Sequence, residues 1–183
     1  MPESRDYWNK LRNMKDQALT KNLRILIDAL KAENVTRVVM SYYGGGDSGD
    51  YHFPIFTVKA EDGTTKDLEG REGYGGSSYK FDSCGQFESD TEVVLTHVCT
   101  GKWDQETETF GEPHSEDKTK TLITAVYEMM EQVVDLEHDG WYNNDGAEGT
   151  VVIDTDEETI NVEHGAYYTS TEWHEYSFKA GDA

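Results

Sequence analysis

Two short loops carry most of the residues able to do chemistry. The first is Gly44-Gly45-Gly46-Asp47-Ser48-Gly49-Asp50 and the second, after Trp141, runs from Tyr142 to Gly149 through Asn143, Asn144, Asp145 and Glu148. Carboxylates and amides set beside glycines are hard oxygen ligands, the type that suits Ca²⁺ or Mg²⁺. Asp47, Asp50, Asn143, Asp145 and Glu148 are therefore the candidate metal ligands, provided the two loops meet at one end of a sheet. The second loop does not follow the EF-hand pattern, because Trp141 falls where the second ligand belongs. Without a metal, the same glycines and Asp47 make a tight turn held by side-chain hydrogen bonds to backbone amides.

Other chemistries find less support. Gly46-Asp47-Ser48-Gly49 matches the nucleophile motif of chymotrypsin-like proteases, in which the histidine base and aspartate precede the serine. Here the first histidine is His52, which follows Ser48. Histidines 52, 97, 114, 138, 164 and 174 show neither HxH nor HExxH spacing, and Cys84 and Cys99 stand fifteen apart. Zinc, or a Cys84–His nucleophilic dyad, would need convergence over long range. No Walker loop or Rossmann fingerprint is present, since the glycine loop has no lysine and no helix is expected after it.

The elements that must position these loops follow from periodicity. Leu19, Leu23, Leu26, Ile27 and Leu30 form one face of a helix, and Trp8, Leu11 and Met14 extend it backwards as a separate or kinked segment. Asn34 is placed to end that helix in the left-handed conformation. Val35 to Tyr43 and Phe53 to Lys59 read as strands, as does Glu92 to Val98. Residues 60–115 read as hairpins and loops inserted into a simpler frame. Ser115, with Glu116 and Asp117 behind it, reads as the cap of a second helix carrying Leu122, Val126, Met129, Met130 and Val133 and ending at Gly140. Thr150 to Asp154 and Thr159 to His164 form a hairpin around Asp156-Glu157-Glu158, and Glu172 to Phe178 is a last strand. The expected fold is a single α+β domain, residues 1–183, with a mainly antiparallel sheet and two principal helices packed on one face.

Charge narrows the partners. The chain has 183 residues with 37 acidic against 16 basic side chains, a net charge of -21. Direct binding to nucleic acid or to an anionic membrane needs the opposite sign. Eleven tyrosines, four tryptophans and six phenylalanines are too many for a disordered chain. Met1 to Lys10 contains no apolar stretch of a secretory signal, no run approaches a membrane span, and two cysteines make no disulfide framework. A cytoplasmic location is expected. Asp135 to Ala183 holds thirteen acidic residues against Lys179, a net of -12, whereas Met1 to Asn34 carries +2.

Two segments taken together resemble a known family. One is the helix ending at Asn34, then Val35-Thr36-Arg37-Val38-Val39 and Gly46-Asp47-Ser48-Gly49. The other is Trp141-Tyr142-Asn143-Asn144-Asp145-Gly146-Ala147-Glu148-Gly149-Thr150, followed by Thr159-Ile160, His164, Tyr168-Thr169 and Phe178. The pair, covering residues 22–50 and 118–178, resembles an uncharacterised family of small bacterial proteins, a domain of unknown function found on plasmids, integrative elements and phage-like DNA. The resemblance implies a small α+β domain from mobile DNA and supplies no catalytic residue.

Three functional readings follow. The first is an acidic, non-enzymatic binding protein of a mobile element or phage that inhibits or modulates a basic, nucleic-acid-binding host protein. Its contact residues are the aromatics Trp141, Tyr167, Tyr168 and Trp173 among Asp154, Asp156, Glu157 and Glu158. The second is a divalent-metal-dependent enzyme or metal-binding domain built on the two loops. The third is a small-molecule binder, such as a nucleotide binder, with a basic pocket near Lys59, Lys66, Arg71 or Lys80.

Overall fold

A computed structural model describes residues 5–70, 85–107, 109–143 and 145–170. The N-terminal apolar stripe forms one continuous helix, α1 (Arg5–Ala32), rather than two segments, and buries Leu11, Ala18, Leu26, Ile27 and Leu30. Asn34 then takes φ 59°, the left-handed conformation that ends the helix as its amide side chain suggested.

The glycine loop is more regular than its composition implies. Strand β1 (Val35–Gly45) runs into it, and Gly46 and Asp47, at φ 63° and 71°, form a two-residue turn to β2 (Ser48–Tyr51). Two consecutive left-handed residues match the twist of the flanking strands, so the expected irregular loop is a tight hairpin. β3 (Ile55–Lys59) and β4 (Thr65–Gly70) follow as antiparallel neighbours, and β5 (Gly85–Phe87) adds a parallel edge.

β6 (Glu92–Cys99) pairs with β9 (His114–Thr121), and between them lies the small ribbon of β7 (Trp103–Asp104) and β8 (Thr109–Phe110). Residues 60–115 thus supply two strands of the main sheet and put Phe87, Val93 and Leu95 into the core. The helix start expected at Ser115 is corrected: Ser115, Glu116 and Asp117 lie in β9. Helix α2 (Leu122–Glu137) is capped instead by the Thr121 hydroxyl, which accepts from the Thr124 amide. It ends before Gly140, where the His138 amide donates to the Val134 carbonyl. Ser-Glu-Asp imitates a capped first turn, but the six residues from Glu116 to Thr121 contain no apolar side chain that a helix could bury there.

β10 (Ala147–Asp154) and β11 (Thr159–Ala166) form the expected hairpin. The main sheet runs β11-β10-β1-β3-β4-β5, with β2 paired to β1. Val38, Met40 and Tyr42 of β1, Val151 and Ile153 of β10, and Phe56 of β3 share its buried face with Leu122, Val126, Met129 and Met130 of α2. The architecture is α+β, with both helices on one side. Asn22 closes the free edge of β6: its amide donates to the Thr96 carbonyl at 2.9 Å and accepts from the Thr96 N–H at 2.8 Å. The last expected strand, Glu172 to Phe178, falls outside the described residues. Among the described residues no helix is long and apolar enough to cross a membrane.

Candidate functional site

The two glycine-rich loops do meet. Gly146 sits at φ 81°, and a Cβ there would lie 1.9 Å from the Gly44 carbonyl oxygen. The contact is made by backbone and by Trp141, while the carboxylates point elsewhere. Asp145 accepts from the amide and hydroxyl of Thr169, which holds its carboxyl below the usual range. Asp47 is exposed in the β1–β2 turn, Asp50 is opposite Tyr43, and the Asn143 amide donates to the Gly140 carbonyl. As their side chains stand, no three His, Cys, Asp or Glu among the described residues are grouped to hold a metal. Of the expected ligands Asp47, Asp50, Asn143, Asp145 and Glu148, Asp145 is already engaged by Thr169, Asp47 and Asp50 are exposed on the β1–β2 hairpin, and Glu148 lines the groove described below.

What the loops enclose is an aromatic seam. Tyr42, 1% exposed, lies across Gly149 of β10 and reaches His164 of β11, with 2.7 Å between Oη and Nδ1. Gly149 is required: a Cβ there would stand 2.4 Å from the tyrosine oxygen and 2.3 Å from the Glu163 carbonyl oxygen. The His164 ring stacks on His138, which caps α2, at 3.7 Å and 7°. Trp141 packs edge-on against Tyr42 and Tyr51, and its indole N–H donates to the Tyr51 hydroxyl at 3.2 Å. Tyr51 in turn donates to Asp135 Oδ1 at 3.3 Å.

Burial governs the titration of this seam. It pushes the Tyr42 phenol up to about 12 and raises Tyr51, the latter helped by the charge of Asp135. Desolvation and then His138 hold His164 below its ordinary value. On α2, desolvation lifts Glu131 to about 7 and also raises Asp135.

The opposite face of the same strands is open. The Ser41, Thr150 and Glu163 trio and the Tyr43, Glu148 and Gly165 trio lie on it in register, and Asp50 stands opposite Tyr43. Here a groove of about 560 Å³ is lined by Tyr43, His52, Glu148, Glu163, Ser41 and Thr150. Tyr43 is 53% exposed and meets His52 edge-on. Tyr167 donates to the Glu148 carboxylate, and Tyr168 is 87% exposed just beyond. Two carboxylates beside tyrosine rings form a surface suited to a cation, which the negative ring faces and the carboxylates both attract.

The contact residues expected from sequence divide into several groups. Trp141 is 7% exposed and belongs to the seam, so it is not available as a surface anchor. Asp154 accepts from the amides of Asp156 and Glu157 and shapes the hairpin turn. Glu158 is clasped by Arg24 and Lys31 of α1. Asp156, Glu157, Tyr167 and Tyr168 are exposed, and Trp173 lies outside the described residues. Lys59 and Lys66 flank the β3–β4 turn, while Arg71 and Lys80 also fall outside. Tyr43 and Glu163 were missed by the sequence reading. The signal available was alternation, since both fall on the face opposite Tyr42 and Val162.

Fold and site together define an α+β protein with helices on one face of its sheet and an acidic, tyrosine-lined groove on the other. The chain belongs to a family of unknown function, DUF6878, whose model matches residues 53–178. That range takes in the middle strands and leaves out the Gly46–Gly49 turn. Searches of curated proteins and of solved structures found no match.

Proposed function

We propose that this is an acidic, non-enzymatic binding protein that captures a basic partner on the open face of its sheet. One observation carries the reading: the groove lined by Glu148 and Glu163 beside exposed Tyr43, with Tyr168 exposed on the chain that follows β11. A lysine or arginine side chain would bring its charge between the carboxylates and lay its stem or guanidinium on the rings. The net charge of -21 extends this attraction over the whole molecule and favours rapid encounter with a basic surface.

A partner so chosen is a protein whose own ligand is nucleic acid, with carboxylates standing where phosphates would lie. In this reading the protein belongs to a mobile element and acts in the cytoplasm to inhibit or modulate a host factor; the sequence resemblance to proteins of plasmids, integrative elements and phages supports that setting. The test is capture from nuclease-treated lysate by tagged wild type and by the Glu148→Gln/Glu163→Gln variant. The expected result is one basic partner, lost in the variant and displaced by added duplex DNA. A partner retained by the variant, or one indifferent to DNA, would sink the proposal.

A further inference from the structure

Pairing β6 with β9 brings together four side chains that no short spacing in the sequence connects. His97 is opposite Glu116 and Cys99 is opposite His114. Directly opposed residues in an antiparallel ladder point to the same side, as do residues two apart on one strand. His97, Cys99, His114 and Glu116 therefore occupy the corners of a rectangle on one face of the ribbon. Its cross-strand edges are about 5 Å between Cβ atoms, and its edges along the strands are roughly 7 Å. We infer that this quartet is a binding site for zinc.

The residue types fit. Two imidazoles, a thiolate and a carboxylate are the ligands of four-coordinate Zn²⁺. Cys99 Sγ lies 3.6 Å from Glu116 Oε1. Bond lengths of about 2.3 Å to sulfur and 2.0–2.2 Å to oxygen put two tetrahedral ligands roughly 3.5 Å apart, so this diagonal already has its bound spacing. His97 Nε2 is sealed from solvent with no hydrogen-bond partner, which leaves a ring nitrogen unsatisfied beside the group.

As they stand the four side chains are not gathered around one point, and two of them are turned to other partners. Glu116 accepts from Lys118 at 2.7 Å, and His97 faces Glu128 at 3.9 Å. Closing on a metal needs rotation of these side chains, while the strand register already sets the four Cα positions. On binding, the Cys99 thiol releases its proton to water and Glu116 exchanges the lysine ammonium for the cation. Lys120 remains neutralised by Glu128 at 2.6 Å.

The same geometry argues against a nucleophilic cysteine. A reactive thiol needs positive surroundings that favour the thiolate, and Cys99 instead donates to a carboxylate. Four protein ligands leave no open position, so the metal's role is structural, a staple across the outer end of the β6–β9 ribbon.

The experiment is titration of the reduced full-length protein with Co²⁺, followed by displacement with Zn²⁺ against a chromophoric chelator. Thiolate-to-cobalt charge transfer with the intense visible bands of four-coordinate cobalt is expected at one metal per chain. Cys99→Ser should abolish the charge-transfer band. His114→Ala should weaken zinc by more than the roughly 10–100-fold that an outer-shell partner costs. Cys84→Ser, the other cysteine, should keep the full spectrum. Far-ultraviolet circular dichroism of each variant before metal addition separates ligand loss from unfolding. Absence of the thiolate band in wild type, its survival in Cys99→Ser, or its loss in Cys84→Ser overturns the assignment.

Discussion

Tyr42 and His164 are joined at 2.7 Å across a strand that lies between them, over the bare Cα of Gly149. Three strands are tied at one row of the sheet by this contact, and the His138 stack ties the row to the end of α2. An alanine at Gly149 meets both the phenol oxygen and the immovable Glu163 carbonyl. Gly149→Ala should therefore cost about 2–3 kcal/mol, in the range of overpacked cores. Chemical denaturation measures it, and a variant as stable as wild type would show that Tyr42 does not cross Gly149.

The His138–His164 stack predicts acid sensitivity. Burial and His138 depress His164 in the folded state, so its proton is bound more readily by the unfolded chain. The resulting stability is fully present above the ordinary value of 6.5 and is lost as pH falls through the lower folded value. Melting temperature should drop on acidification, and less steeply in His164→Leu. His97 is depressed in the same direction, so the variant keeps part of the slope. Equal slopes in the two proteins would contradict the account.

Glu131 works in the opposite sense. Desolvation raises it from 4.5 to about 7, so the folded state holds the proton more tightly than the unfolded one. Stability linked to Glu131 is present below pH 4.5 and lost as pH rises through about 7. Glu131→Gln should stabilise at about pH 8 by ~1 kcal/mol after allowance for solvent screening. That is a rise of about 2–4 °C for a chain of this size. At about pH 4, where the acid is protonated in both states, the gain should vanish. A shift independent of pH would mean that the carboxylate is not desolvated.

Asn22 offers a sharper test of packing. Its amide satisfies both the N–H and the carbonyl of Thr96, and the side chain is nearly sealed at 2% exposure. Asn22→Ala leaves both backbone groups unpaired and should cost about 2–4 kcal/mol. Asn22→Asp keeps the acceptor but replaces the donor with a second acceptor oxygen against the Thr96 carbonyl, and should be almost as costly. Hydrogen exchange at the Thr96 amide should quicken in Asn22→Ala; unchanged protection there would remove Asn22 from the role.

The acidic hairpin turn should matter little to stability. Glu158 pairs with Arg24 and Lys31, but all three side chains are well exposed. Glu158→Gln is expected to cost less than about 1 kcal/mol. A larger loss in denaturant titration would show that the clasp fixes the hairpin to α1.

Much of this fold was legible in the sequence because burial imposes a period. The stripe of α1, the alternation in β10 and β11 and the Asn34 stop each state a local rule that tertiary packing respects. β9 was not legible: its exposed ribbon face tolerates Ser115, Glu116 and Asp117, which imitate a helix cap. The Gly46–Asp47 turn was hidden by an excess of glycine that reads as irregularity. Of the site, the meeting of the loops required pairing of β1 with β10. The inward turn of Trp141 followed from that pairing, which no local pattern specifies. The β6–β9 quartet is the same case, since register alone makes neighbours of His97 and Glu116.

The central pairing of β1 with β10 also sets a timetable. Residue 45 ends the first strand and residue 147 opens the second, with the ladder running from Arg37–Asp154 to Gly44–Ala147. At about 5–20 residues per second, the ribosome takes roughly 5–20 s to deliver the partner. During that interval Val38 and Val39 have β3 on one side and an open hydrogen-bonding edge on the other. That edge stays unpaired until β10 has left the exit tunnel, so chaperone occupancy on β1 should persist until then.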